Sequence, residues 1–361
     1  SVSLDVENRY DFRSLSGITL LWSFQVNGAV QQSGATPLKA ASHAQEMVSV
    51  GFPLPATVSN GAVYALDVRC VDEAGQAINR RTFRLDRPTA GDLAAQLANA
   101  PAPAATATAV SEAGSEIRIV HPQFEIRADR QTGAISIRTR QGRILAEGLF
   151  PHVSRKYTMA EELRAKPNPL SLWQGNYLAG ASDVRIETAT APAGVTLTVH
   201  AKYARPGAAN QFIEGDCSLL ITPRGAIEVT YNYVPTKTTG VFLEAGISLV
   251  VPQAPEFHWI GQGPYPAYPG KDVLTEFGIH HLNREDLNFQ GNRRQVEVAL
   301  LSNLAGSGLA LAGDHLDVAV QNTADGNVIL SQNALISSRG NKGSNPEAPV
   351  NSGKCTCASS P

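Results

Sequence analysis

An excess of charge of either sign is missing from this sequence: 30 Lys and Arg stand against 32 Asp and Glu, a net charge of -2. With no block of like charge, there is no electrostatic footprint for a nucleic acid or an anionic membrane, and neither is expected as a partner. Long apolar runs are missing as well. Nothing approaches the roughly 18–20 unbroken apolar residues of a spanning helix, and the opening residues carry no signal-peptide pattern. An initiating Met is absent: Ser1 leads straight into the strand-like Ser3–Asn8, as expected of a cut from a longer protein, so compartment is left open. Cysteine is scarce, at 4 residues. Cys70 and Cys217 sit in apolar stretches and are expected as free thiols. Cys355-Thr356-Cys357 lacks the second ligand pair of a zinc site, so no metal is expected there, and no cofactor is implied elsewhere.

What is present is alternation. In Ile18–Val26 every second residue is apolar, the period of a half-buried strand. Asn27-Gly28 follows, a strong hairpin signal because both residues tolerate positive φ. Further strands are predicted over Gln45–Val50, Tyr64–Val68 and Arg81–Leu85, and this spacing implies an immunoglobulin-like or fibronectin-like sandwich over residues 1–87. Residues 88–115, rich in Ala, Pro and Thr, read as a linker, with a short helix over Asp92–Asn99 before the most biased part. Residues 116–340 return to strands, among them Phe124–Arg127, Val195–Ala204, Ala226–Val234 and Val296–Ser302, with one weak helical signal at Ala160–Ala165. So many strands exceed one small sandwich, and a two-sheet supersandwich is expected. Residues 341–361, rich in Gly, Ser, Pro and Asn, are expected as an extended tail.

Several segments carry a resemblance. Val6-Glu7-Asn8-Arg9-Tyr10-Asp11-Phe12, followed by Trp22 and the Asn27-Gly28 turn, is similar to the fourth domain of glycoside hydrolase family 2 β-galactosidases. Phe124–Ile135, with Asp129-Arg130-Gln131-Thr132-Gly133, resembles a hairpin of their fifth domain. His258-Trp259-Ile260-Gly261-Gln262-Gly263-Pro264, continuing through Tyr268-Pro269, and Gln290-Gly291-Asn292-Arg293 resemble two more of its segments. The resemblance implies an all-β chain, an immunoglobulin-like sandwich followed by a galactose-mutarotase-like supersandwich. It also implies the catalytic barrel of a parent enzyme as partner and a β-galactoside or related saccharide as ligand. The chain departs from the family pattern at Pro266-Ala267, Gly270-Lys271 and Phe289, where polar groups are replaced.

Glycoside hydrolysis needs two carboxyl groups flanking the scissile bond. In the family these lie in a TIM barrel, and no alternation of strand and helix is legible here. Glu161-Glu162, Glu214 with Asp216, and Glu285-Asp286 read as loop or surface groups, so no catalytic residue is assigned and the isolated chain is expected to be inactive. Sugar-contact candidates are Trp173, Trp259, Tyr265, Tyr268, Asn292 and Arg293: aromatic faces stack on sugars, and loops carry sites. For each ring the alternative is packing, and for Arg293 a pairing with a nearby carboxylate. A carbohydrate-binding module built on Tyr265, Tyr268 and Trp173 is a second reading. A free-standing aldose-epimerase-like enzyme is a third, using His258 with Glu276, or one of His280 and His281, whose side chains must face opposite sides of a strand.

Overall fold

The computed structural model describes residues 2–52, 62–85, 108–152, 181–205, 208–236, 244–254, 256–269, 272, 274–283, 291–302, 308–323, 326–336 and 353–358. Among these every regular element is a strand. The chain divides into two compact units, residues 1–88 with 276–278, and the remainder.

In the first unit β1 (Val2–Glu7) pairs antiparallel with β4 (Gln45–Val50). Opposite them lies a sheet in the order β3 (Ala29–Pro37), β2 (Thr19–Val26), β5 (Tyr64–Val71), β6 (Ala77–Arg84). The Asn27-Gly28 signal is realised as read: Val26 pairs with Ala29 across a two-residue loop, and both loop residues are left-handed, at φ 50° and 80°. Leu20 and Phe24 of β2 and Leu66 and Val68 of β5 fill the core, with Val48 and Val50 of β4 on the facing sheet. Trp22 lies at the margin of this core, partly buried and 6.0 Å from the ring of Phe52.

The motif residue Asn8 has a structural task. Its carboxamide is 1 % exposed, and Nδ2 donates to the carbonyls of Arg13 (2.8 Å), Ala41 (2.9 Å) and Ala40 (3.1 Å), while Oδ1 accepts from the Tyr10 amide at 2.9 Å. One side chain thus ties backbone groups of two loops together, adding to the bonds that the Ala40 and Ala41 carbonyls already accept from the Leu15 and Ala44 amides.

The second unit opens with β7 (Ala109–Ala113), β8 (Glu116–Val120), β9 (Phe124–Asp129), β10 (Ile135–Thr139) and β11 (Ile144–His152). The longest strands follow: β12 (Ala181–Ala191), β13 (Gly194–Arg205), β14 (Ala208–Ile221) and β15 (Ala226–Thr236). Then come β16 (Glu244–Val251), β17 (Glu256–Gly263), β18 (Glu276–Asn283), β19 (Arg293–Ser302), β20 (Gly308–Asn322), β21 (Val328–Ile336) and β22 (Gly353–Ala358). All 16 join one hydrogen-bonded network, running β12-β13-β14-β15-β22-β20-β21-β16-β11-β10-β9-β8-β7, with β19, β17 and β18 branching from β20. The expected stack of two sheets is therefore a single network curled face to face, since Ile135, Ile137 and Leu149 share one core with Leu219, Ile227 and Val229.

The Asp129–Gly133 motif shapes the β9–β10 hairpin. Asp129 Oδ1 accepts from the amides of Gln131 and Thr132, both at 2.8 Å, and these bonds hold its carboxyl below the usual range.

Two expectations need correction. The linker does not extend to residue 115, because β7 pairs with β8 from Ala109↔Val120 to Ala113↔Glu116. Residues 353–358 of the expected tail form β22, inserted between β15 and β20. Both edges had unpaired backbone groups to offer, and that outweighs the poor apolar pattern of the added strands. The helices expected at Asp92–Asn99 and Ala160–Ala165 lie outside the described residues.

Removing the Asn8 carboxamide takes away its bonds to the Arg13 carbonyl and from the Tyr10 amide, while the Ala40 and Ala41 carbonyls keep the Leu15 and Ala44 amides; a buried group left unpaired costs roughly 1–3 kcal/mol. Asn8→Ala should lower the stability of the first unit by about 2–3 kcal/mol, read from urea unfolding of the whole chain. A change below about 0.5 kcal/mol would show that water replaces the lost bonds.

Candidate functional site

Strand β17 alternates cleanly, with Phe257, Trp259, Gly261 and Gly263 turned inward and Glu256, His258, Ile260 and Gln262 outward. Trp259 is 1 % exposed; its ring stacks on Phe257 at 4.9 Å and its Nε1–H donates to the Gln262 carbonyl at 2.9 Å. The His280 ring lies 5.1 Å away, and a Cβ on Gly263 would meet His280 at 2.6 Å and Trp259 at 2.7 Å. Only glycine lets the two rings close over the strand end. The chain then turns through a cis Gly263–Pro264 bond into the loop that carries Tyr265 and Tyr268.

That loop is fastened to the start of β19 through Asn292. The Ala267 amide donates to the Asn292 carbonyl at 2.9 Å, and Asn292 Nδ2 returns a bond to the Ala267 carbonyl at 2.8 Å. The same Nδ2 reaches Asp317 Oδ1 at 3.1 Å, and Asn292 Oδ1 accepts from Asn333 Nδ2 at 3.1 Å. Asn333 Oδ1 in turn meets His152 Nε2 at 2.6 Å, and His152 Nδ1 meets Ser248 Oγ at 2.9 Å. Because Asn333 Oδ1 can only accept, the His152 proton is assigned to Nε2, and Ser248 donates to Nδ1.

Arg293, next to Asn292, is 4 % exposed with its guanidinium 4.9 Å over the Trp259 ring. Its Nη1 donates to the Asn292 carbonyl at 3.3 Å, whereas Nε has no hydrogen-bond partner among the described residues. Burial pulls its pKa down to about 10, which still leaves the side chain charged at neutral pH, where the indole face favours the cation. Burial pushes the Asp317 carboxyl up, opposed by its bonds from Asn292 and Arg294.

The family description "Beta galactosidase small chain" matches residues 120–328, more than half of the chain, and "Beta-galactosidase, domain 4" matches residues 4–87. The chain belongs to the β-galactosidase small-chain family. Its two matched segments are C-terminal domains of glycoside hydrolase family 2 β-galactosidases, as the motifs implied. No curated protein matches the chain.

Within this β-galactosidase region the structure brings together four of the sequence-predicted residues, Trp259, Tyr268, Asn292 and Arg293, all buried. Tyr265 is set apart at 60 % exposure, and Trp173 lies outside the described residues. Of the histidines, His280 packs inward on Trp259, while His281 lies against His258. His258 pairs with Glu256 of its own strand at 3.1 Å. Sequence reasoning missed His152, Ser248, Asp317 and Asn333, since a lone polar residue in an apolar stretch has no signal until its cross-strand neighbours are known. Glu214 and Asp216 flank His200 as half-exposed groups; Glu161, Glu162, Glu285 and Asp286 lie outside the described residues.

Burial lowers the His152 pKa to about 4, whereas an unfolded histidine takes up a proton near pH 6.5. Between these values the unfolded chain binds more protons, so stability falls as pH drops through that window, by roughly 3 kcal/mol at its end. His121, pushed down by burial too, adds in the same direction. The urea midpoint should fall less between pH 7.5 and pH 4.0 for His152→Gln than for the wild type. Equal losses in both would place the dependence elsewhere.

Proposed function

We propose that this chain is the C-terminal accessory portion of a β-galactosidase-like glycoside hydrolase, bracing a catalytic barrel supplied from outside these residues. The observation that carries the reading is the way the family segments are used. Trp259 bonds the Gln262 carbonyl, and Asn292 and Ala267 bond each other twice, so the two family segments together mount the loop through residues 264–269. The carboxylates of the network, Glu244 and Asp317, are engaged by Asn333 and Asn292. That arrangement supports a scaffold in preference to a pair of carboxyl groups poised across a glycosidic bond.

In this reading the mount presents Tyr265 outward to the barrel's active-site mouth or to the saccharide in it, with Tyr268 and Trp173 as further candidates. Arg293, whose Nε has no hydrogen-bond partner among the described residues, is a candidate to receive a carboxylate or hydroxyl of the barrel or its sugar. The galactose-mutarotase-like fold is here a support, since a shared fold does not carry its chemistry with it.

The purified chain should release no product from a nitrophenyl β-galactoside. When the barrel portion of the parent enzyme is co-expressed with this chain, activity should appear, and Tyr265→Ala should lower kcat/KM by about tenfold, some 1.4 kcal/mol. Turnover by the chain alone that is lost on substituting one of its carboxylates would overturn the accessory reading. Unchanged kcat/KM in the Tyr265→Ala complex would remove Tyr265 from the mouth. Retardation of the lone chain in galactan-containing gels, abolished by Tyr265→Ala, would favour a carbohydrate-binding module.

A further inference from the structure

The outward face of β17 carries Glu256 and His258 two residues apart, and alternation puts both side chains on one side of the sheet. Its antiparallel neighbour β18 adds a third group. His280 is turned inward onto Trp259, so His281 faces the other way, and its ring lies 4.7 Å from that of His258 with a tilt of 31°. One ligand atom from each of Glu256, His258 and His281 lies within 4.8 Å of the others, and the His258 Nε2 to Glu256 Oε2 distance is 3.1 Å.

We propose that Glu256, His258 and His281 form a binding site for a divalent first-row transition ion, zinc above all. Tetrahedral zinc with bonds of about 2.0–2.1 Å separates its ligand atoms by about 3.3 Å. The Glu256–His258 pair, at 3.1 Å, is close to that spacing, and the His281 ligand atom lies within 4.8 Å of both. Two imidazoles with one carboxylate select zinc, copper or nickel over magnesium and calcium, which prefer all-oxygen shells. Beneath the ligands Phe257 and Trp259, 0 % and 1 % exposed, hold β17 rigid. On the other side the ligand side chains are open, 27 % exposed at Glu256 and 38 % at His258, which leaves the fourth position for water or an incoming ligand atom.

A second histidine with carboxylates shows what the geometry requires. His200 meets Asp216 through Nδ1 at 2.8 Å and Glu214 through Nε2 at 3.5 Å, so the carboxylates sit at opposite ring edges. One ion cannot take both together with the imidazole. His200 therefore serves as a control of similar composition.

The test uses the whole chain carrying Cys355→Ser and Cys357→Ser to remove competing thiols, stripped with chelator and titrated calorimetrically with zinc ion alone. One equivalent is expected to bind. His258→Ala with His281→Ala should abolish that equivalent, Glu256→Gln should weaken it at least tenfold, and His200→Ala should leave it unchanged. Zinc should also raise the thermal midpoint of the parent chain and not that of the double variant, which shows independently that the variant is folded and has lost the site. No equivalent bound by the parent at sub-millimolar zinc, or an equivalent kept by the double variant, would overturn the assignment.

Discussion

Each polar group carried into the interior of the second unit has to find a partner there, and the Asn292 carboxamide meets that requirement for a loop and two strands at once. Its donors go to the Ala267 carbonyl and Asp317, and its acceptor takes Asn333, which is tied in turn to His152 and Glu244. The position of the loop carrying Tyr265 follows from this one set of bonds, while the neutrality of His152 follows from its burial beside them. In a buried network the cost of an unpaired member exceeds the net worth of any single bond.

The same constraint separates two faces of β17. Inward, aromatic packing and the Trp259 N–H bond close the strand end, which is why the most conspicuous ring of the family segment is covered in this chain. Outward, alternation exposes Glu256 and His258 beside His281.

Much of the fold was legible because it rests on local rules. The Asn27-Gly28 hairpin and the alternation of Ile18–Val26 read correctly, since positive φ tolerance and period two operate within a few residues, and the Asp129–Gly133 hairpin entered through the family resemblance. The strands left unread break those rules. In β21 Ser331, Gln332 and Asn333 interrupt an apolar run and are held inside by the polar network. Strand β11 bends where its register shifts between Gly148 and Phe150, so its apolar residues lose their simple alternation. In β18 two adjacent histidines and a glycine conceal a strand that pairing with β17 stabilises.

By itself the sequence determined the class of fold, the order of its two units and the family, because apolar period, turn residues and motif order are all written along the chain. It also named Trp173, Trp259, Tyr265, Tyr268, Asn292 and Arg293 as sugar-contact candidates. Only tertiary structure decided which of them is covered and which is presented, that His152 and Asn333 join Asn292, and that His281 stands beside His258. Those relations depend on strand register, and a slip of one residue would send every side chain to the other face.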